Sequence, residues 1–335
     1  MNLREIAMVA GVSPASISLV LHGKVGVGAE KRAQISRLLR ENGYNVASDR
    51  LASKRISFLK YVTDANAIDG NPGFITAIMD AAELECRNNG YILSVATFNS
   101  IPEIMDFIHM QEPDGIIVLG TEINEADMHE FKALRTPYIV VDNLLALTPC
   151  HAVTMDNYAS IFQCVKHLAE LGHKRIGFLR NKSYHSSNCE VRMRSFIEAL
   201  RYYDIPYDPT LVYEMMNCTL NGSYVSMCKL LKSGIRLPSA LVSSCDVSAL
   251  GALKALQEFG IRVPQDVSIT GFDDISFAEI SNPPLTTVKV PCAEIGVWTV
   301  RILQQLISAP DTPPLKLQLS TTFTVRESTG PYLSS

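Results

Sequence analysis

The 335-residue chain predicts an N-terminal all-α helix-turn-helix headpiece followed by an α/β body of two subdomains, each built on an open parallel sheet. Three observations lead there. Residues 1–44 carry apolar side chains at helical spacing on both sides of a Gly-Val turn. From Ile56 onward, short apolar runs alternate with amphipathic segments, and this alternation occurs in two successive series. Near-continuous apolar strands alternating with helices mean parallel sheets covered on both faces. Ligands of such sheets bind at the carboxyl ends of the strands, where two facing edges make a cleft.

In the head, Leu3, Ile6, Ala7 and Ala10 form one helical face, and Gly11-Val12 leaves room only for a tight turn. The segment Ser13 to His22 then reads as a short helix. Ser13 is its N-cap and Pro14 sits in the first turn, where a missing N–H costs nothing. Ile17, Val20 and Leu21 face inward, while Ala15, Ser18, Leu19 and His22 share the opposite face. Two helices so joined form a helix-turn-helix, whose second helix enters the major groove of DNA. A third helix, Ala29 to Asn42, places Ile35, Leu38 and Leu39 on one face and Lys31, Arg32, Arg37 and Arg40 elsewhere, with Gly43 at the C′ position. From shape alone, a helical adaptor that binds protein is the alternative.

The run Ile6-Ala7-Met8-Val9-Ala10-Gly11-Val12-Ser13-Pro14-Ala15-Ser16-Ile17-Ser18-Leu19-Val20-Leu21-His22-Gly23 resembles the headpiece of the lactose-repressor family of bacterial transcription regulators. The resemblance implies that Pro14, Ala15 and Leu19 read operator bases. It implies that Ser13, Ser16, Ser18, His22 and Arg32 mostly contact the DNA backbone. Leu19 departs from the arginine often found there, exchanging a bidentate grip on guanine for apolar contact with, for instance, a thymine methyl. Gly28 stands where a helix-capping serine is usual.

Charge fits the division. The net charge is −4, but residues 1–55 hold nine Lys+Arg against four Asp+Glu. That gives the head a net +5, and the remaining 21 basic and 30 acidic residues give the rest −9. A basic head on an acidic body confines any polyanion contact to one end. A merely solvated basic face would show the same balance. The 47% hydrophobic content is ample for sizeable cores. Eight cysteines show no Cys-x-x-Cys pair and no zinc spacing with histidine, which reads as scattered reduced thiols. With no apolar leader and no stretch of spanning length, a cytoplasmic location is expected. No metal or cofactor is expected.

Residues 45–55 are short and polar. The family's link is a hinge helix that inserts a leucine into the minor groove. Leu51-Ala52-Ser53-Lys54 resembles its end, which makes Leu51 the wedge. The usual proline and asparagine after the tyrosine are absent, and a flexible tether is the other reading.

The body's strands are expected at Ile56–Val62, Tyr91–Phe98, Gly115–Gly120 and Tyr138–Asp142, then Arg175–Arg180, Leu211–Glu214, Leu241–Ser244 and Val267–Gly271. Helices are expected at Phe74–Asn89, Pro102–Met110, Glu125–Leu134, Tyr158–Leu171, Glu190–Tyr203, Gly222–Lys232 and Asp246–Phe259. Asp114 to Gly120, His167 to Ile176, Gly271-Phe272-Asp273-Asp274, Pro283 to Val288 and Val325-Arg326-Glu327-Ser328-Thr329 resemble landmarks of the same family's effector domain. That domain is similar to periplasmic sugar-binding proteins, with three chain crossings between subdomains. Here these fall near Asp156, Leu285 and Ser320. The expected domains are therefore 1–44, the linker 45–55, and a body 56–330. Its subdomains are 56–156 with 286–318, and 157–285 with 319–330.

The same resemblance implies effector contacts at Phe74, Arg192, Cys218, Cys245, Asp246 and Asp273. The forked guanidinium of Arg192 suits a hydroxyl or carboxylate, and aspartates after strands accept paired hydrogen bonds from sugar hydroxyls. Capping is the alternative for both aspartates. A core position is the alternative for Phe74, and an ion pair for Arg192. Cys245 replaces a common asparagine, Cys218 a stacking aromatic and Gly73 a second aromatic. These departures point to an effector smaller or less ring-like than a hexose. Trp298 lies on a helix outside the motifs and is expected in the core.

The expected function is effector-controlled repression by a homodimer on a pseudo-palindromic operator, with no coiled-coil tail for tetramers. The alternative is a cytosolic small-molecule sensor without DNA function. No phosphate-binding loop, metal spacing or nucleophile elbow supports an enzyme.

Overall fold

The computed structural model describes residues 1–21, 26–44, 54–62, 72–181, 187–216 and 218–332. The chain forms two compact units, Met1–Arg55 and Ile56–Ser335. His22 and Leu51 lie outside the described residues, as does most of the linker.

The small unit holds α1 (Leu3–Ala10), α2 (Pro14–Leu21) and α3 (Ala29–Glu41). Asn2 caps α1 by accepting from the amides of Arg4 and Glu5, and the Glu5 carboxylate returns the bond to the Asn2 amide. Gly11, at φ 64°, takes the left-handed conformation that ends α1 and lets Val12 donate to the Ala7 carbonyl. The axis then turns by 107° into α2, within the helix-turn-helix range. Ser13 caps α2, its hydroxyl accepting from the Ser16 amide at 3.2 Å. Ile6, Ala7, Ala10, Ile17, Val20, Ile35 and Leu39 form the core.

One expectation for α3 is corrected. Arg32 is only 8% exposed and already has an intramolecular partner. Residues 32, 35, 36 and 39 recur at helical spacing, so Arg32 and Ser36 share the buried face of Ile35 and Leu39. The end of α3 matches its sequence: Gly43 has φ 77° and the Tyr44 amide donates to the Leu39 carbonyl.

The body begins with β1 (Lys54–Tyr61), α4 (Pro72–Asn88), β2 (Tyr91–Phe98), α5 (Ile101–Gln111), β3 (Gly115–Leu119), α6 (Met128–Phe131), β4 (Tyr138–Val141) and β5 (Ala152–Met155). It continues with α7 (Asn157–Glu170), β6 (Ile176–Asn181), α8 (Ser187–Tyr202), β7 (Val212–Met215), α9 (Leu220–Lys232), β8 (Ala240–Ser243), α10 (Asp246–Glu258) and β9 (Ser268–Thr270). Last come α11 (Ser276–Ile280), β10 (Thr287–Lys289), α12 (Cys292–Ser308), β11 (Lys316–Leu319) and β12 (Thr322–Thr324).

One sheet has the order β11-β5-β4-β3-β1-β2 and the other β7-β6-β8-β9. The second sheet is parallel throughout, and so are the pairings from β11 across to β1. β10 and β12 form a separate antiparallel pair between the end of β9 and the end of β11. Strands β3, β5, β8 and β9 are buried along their whole length, as strands covered on both faces must be.

The helix expected at Glu125–Leu134 shrinks to Met128–Phe131. Asn124 accepts from the amides of Ala126 and Asp127 while Asp127 accepts from the Asn124 amide, so side chains build a turn where helix was expected. Trp298 is corrected from core to surface. It is 42% exposed on α12, with the Arg301 guanidinium 5.6 Å from its ring centroid.

Candidate functional site

On α2, Ser13, Pro14, Ala15 and Ser18 are exposed, and Ser16 and Leu19 are half-buried. The hydroxyls of Ser13 and Ser16 lie 3.0 Å apart at the start of the helix. Leu19 leans on the loop backbone, its Cδ1 3.2 Å from where a Cβ on Gly26 would stand. The exposed face of α2 thus offers small polar groups around one apolar side chain. No acidic side chain lies on α2 to repel a phosphate.

In the body, the carboxyl ends of the two sheets meet through a polar chain. Asn188 on α8 donates to both the backbone carbonyl and the carboxylate of Asp142 after β4, at 2.6 and 3.0 Å. Asn157, which opens α7, donates to the Asn188 side-chain oxygen at 2.9 Å. Arg192, one turn beyond Asn188, donates through Nε to Asn157 at 2.7 Å and through Nη1 to the Ser244 carbonyl at 2.5 Å. Its guanidinium lies 3.6 Å from the centroid of the Phe272 ring. Arg192 is 6% exposed, whereas Arg194 is exposed, so the helix register selects Arg192 as the inward arginine.

Asp273 follows β9 with φ 118°, a conformation unusual for a residue with a side chain and concentrated at functional sites. Its amide donates to the Val288 carbonyl at 2.9 Å. Asp273 and Phe74 line one cavity of about 420 Å³ together with Lys289, Val290 and Cys292. Cys218 and Cys245 lie close together, sulfurs 3.4 Å apart, at the ends of β7 and β8.

Asp246, expected to bind effector or shape its pocket, is engaged within the fold. It is 0% exposed, and its carboxylate accepts from the Thr287 hydroxyl at 2.5 Å and the Ile275 amide at 2.9 Å. It ties α10 to the segments around α11 and β10, so it supports the cleft from behind. Gly271 must be glycine for the same reason, since a Cβ there would stand 2.0 Å from Asp246 Oδ1. Asp274 is likewise committed, pairing with Arg326 at 2.7 Å while Arg326 also donates to the Leu285 carbonyl. Ser328 completes the junction, donating to the Ile269 carbonyl and accepting from the Thr286 amide.

Burial pushes the Asp142 carboxyl up to about 6, against the hydrogen bond from Thr121, the charge of Arg192 and the hydrogen bond from Asn188. Burial also raises Asp246 to about 7 and Asp273 well above the usual carboxylate range, although Arg192 opposes the latter. One guanidinium therefore serves two carboxyls, Asp142 and Asp273, in a dry site. Two buried polar atoms there, Asn181 Oδ1 at the end of β6 and Ser244 Oγ after β8, have no hydrogen-bond partner among the described residues. Buried polar groups are normally satisfied. Asn181, Ser244, Asp142, Asn157 and Asn188 were not singled out by the sequence, where an isolated amide or hydroxyl carries no signal.

Residues 165–329 match the family model described as a periplasmic binding protein-like domain. The chain is 28% identical over 332 residues to the ribose operon repressor of Haemophilus influenzae, covering 98% of each chain. It is 30% identical over 341 residues to the HTH-type transcriptional regulator MalR of Streptomyces coelicolor, covering 98% of this chain and 96% of that one. The chain belongs to the lactose-repressor family of transcription regulators. The likeness runs through both units. A structure of the regulator CelR with cellobiose superposes with a TM-score of 0.72 at 26% identity, over 98% of this chain and 99% of that one. A lac repressor dimer bound to operator and the anti-inducer ONPF shares the fold, with a TM-score of 0.79 at 23% identity over the same shares. As a family member the chain is a DNA-binding regulator controlled by a small-molecule effector. Among the described residues no single helix is long and apolar enough to cross a membrane.

Proposed function

We propose that the chain represses transcription as a homodimer on a pseudo-palindromic operator, and that a small polyhydroxylated metabolite bound between its subdomains sets operator affinity. The observation that carries the effector reading is a pair of buried atoms without a hydrogen-bond partner among the described residues, Asn181 Oδ1 at the end of β6 and Ser244 Oγ after β8, where Arg192 holds the Ser244 carbonyl. An acceptor, a hydroxyl, a guanidinium and a carboxyl in a dry cleft suit a ligand bearing several hydroxyls. Phe74 is the apolar wall. Relatives support the class: one is the repressor of a ribose operon and another is a complex with cellobiose.

The effector set is Phe74, Arg192, Cys218, Cys245 and Asp273, extended by Asn181 and Ser244. The operator set is Ser13, Pro14, Ala15, Ser16, Ser18 and Leu19. The subdomains are 56–156 with 286–318 and 157–285 with 319–330. Asn188 donates across them to Asp142, so ligand that favours one relation of the subdomains shifts the equilibrium by its differential affinity.

The test has two arms. Binding to a duplex from the chain's own locus at about 50 and about 200 mM salt should show the steep loss expected from phosphate neutralisation. A thermal-shift screen of sugars, nucleosides and small acids should find a stabiliser, worth about 2.7 kcal/mol at a hundredfold excess over Kd. Salt-independent or absent DNA binding would defeat the repressor reading. Stabilisation only by apolar compounds would defeat the effector class.

A further inference from the structure

The cleft contains a chemistry that binding a polyol does not require. Cys218 lies in the turn between β7 and α9, and Cys245 holds the N-cap position of α10. Their sulfurs are 3.4 Å apart, and the Ser248 hydroxyl is 3.2 Å from the Cys245 sulfur. A disulfide needs about 2.0 Å between sulfurs, so closing the pair takes a movement of about 1.4 Å. Cys245 is buried and Cys218 is half-buried, so Cys218 is the more exposed of the two.

We propose that Cys218 and Cys245 are a reversible thiol pair, oxidised to a disulfide by hydrogen peroxide. Its position within the effector cleft rests on the reading given above; formation of the bond does not.

Hydrogen bonding with Cys218 is the chief cause that holds the Cys245 thiol below the ordinary thiol range, helped by Ser248 and the nearby Arg192 charge against the opposing effect of burial. Burial pushes other thiols the opposite way, Cys86 and Cys164 both to about 12. Cys245 is thus the nucleophile and Cys218 the resolving group. The Cys245 thiolate attacks one peroxide oxygen, the O–O bond breaks, and the departing hydroxide takes a proton to leave as water. The resulting sulfenic acid is attacked by the Cys218 sulfur, which has given up its proton. The S–S bond forms as the S–O bond breaks, and the second hydroxide leaves as water. Two thiols lose two electrons, and one peroxide gains them. A dithiol reductant reverses the change by exchange. The bond joins the turn after β7 to the head of α10 and removes both S–H groups from the cleft.

The test uses full-length reduced protein treated with stoichiometric hydrogen peroxide, alkylated, digested and mapped by mass spectrometry. A cross-linked peptide pair containing residues 218 and 245 is expected in most chains, lost on treatment with dithiothreitol. In C218S, Cys245 should proceed to sulfinic acid, because nothing resolves the sulfenic acid. C86S should behave as the parent. Oxidation spread over the cysteines without the 218–245 cross-link would overturn the proposal, as would equal over-oxidation of Cys245 in parent and C218S. The measurement needs neither duplex nor effector, so failure of the function reading would leave its result standing.

Discussion

The side-chain amide of Asn188 reaches both the carbonyl and the carboxylate of Asp142, so a helix packed on one sheet is pinned to a strand end of the other. The Asp142 carboxyl accepts that bond together with one from the Thr121 hydroxyl, at 2.6 Å. Asn188→Ala should therefore destabilise the body by about 1–3 kcal/mol, the cost of leaving buried groups unsatisfied. The urea midpoint measures this, and it should fall without a change of slope. An unchanged midpoint would show that the tie contributes nothing to the resting fold.

Under the proposed function, Arg192 combines recognition with structure. Arg192→Lys keeps the charge but loses the fork that spans Asn157 and Ser244. Ligand-induced thermal stabilisation should disappear, and stability should fall by about 1–3 kcal/mol from the unpaired buried groups. Asp273→Asn should abolish the ligand response with less effect on the fold. If both variants keep the full ligand shift, the binding site lies elsewhere.

The buried carboxyls set a pH dependence. Asp142 and Asp246 are raised to about 6 and about 7 by burial, so the native chain holds protons that the unfolded chain releases. Their contribution is complete below about pH 4 and is lost as pH rises through about 6 and about 7. His151, His167 and His173 are lowered by burial and act oppositely, weakening the fold as pH falls through about 6.5. Comparison with Asp246→Asn isolates the carboxyl. Between about pH 4 and about 7.5 the variant should lose less stability than the parent, read from urea midpoints across that range. Parallel curves would mean that Asp246 is ionised in the fold.

Gly271→Ala should be costly although it adds only a methyl. Its Cβ would meet Asp246 Oδ1 at 2.0 Å and Leu285 Cδ2 at 2.7 Å, both in buried surroundings. Overpacking of this kind costs about 1–3 kcal/mol. The shift of Asp246 should also weaken ligand stabilisation through Asp273, two residues beyond Gly271. Wild-type melting would show that the junction yields freely.

On the head, Leu19→Arg should change sequence preference toward guanine, because a guanidinium can grip O6 and N7 together. Ser16→Ala should weaken binding to all duplexes alike. Selection from a randomised duplex library distinguishes the two. A uniform loss from Leu19→Arg would place that side chain away from base edges.

Local pattern determined much of this protein. The helical spacing of Ile6, Ala7 and Ala10, the caps at Ser13 and Gly11, and the apolar runs of β1, β3 and β4 are legible in sequence, because each depends on neighbours a few residues away. Resemblance carried the inward arginine at position 192 and the aspartate at 273 into the same region. Tertiary structure alone decided the rest. Strands β5 and β11 are four residues each, and they become strands by pairing with each other across the chain. The burial of Arg32, the commitment of Asp246 to Thr287 and Ile275, and the approach of Cys218 to Cys245 all depend on segments far apart in sequence. Periodicity reports which face of an element is apolar. It does not report which polar groups will meet once the faces are packed, and in a dry cleft those meetings decide which side chains remain for a ligand.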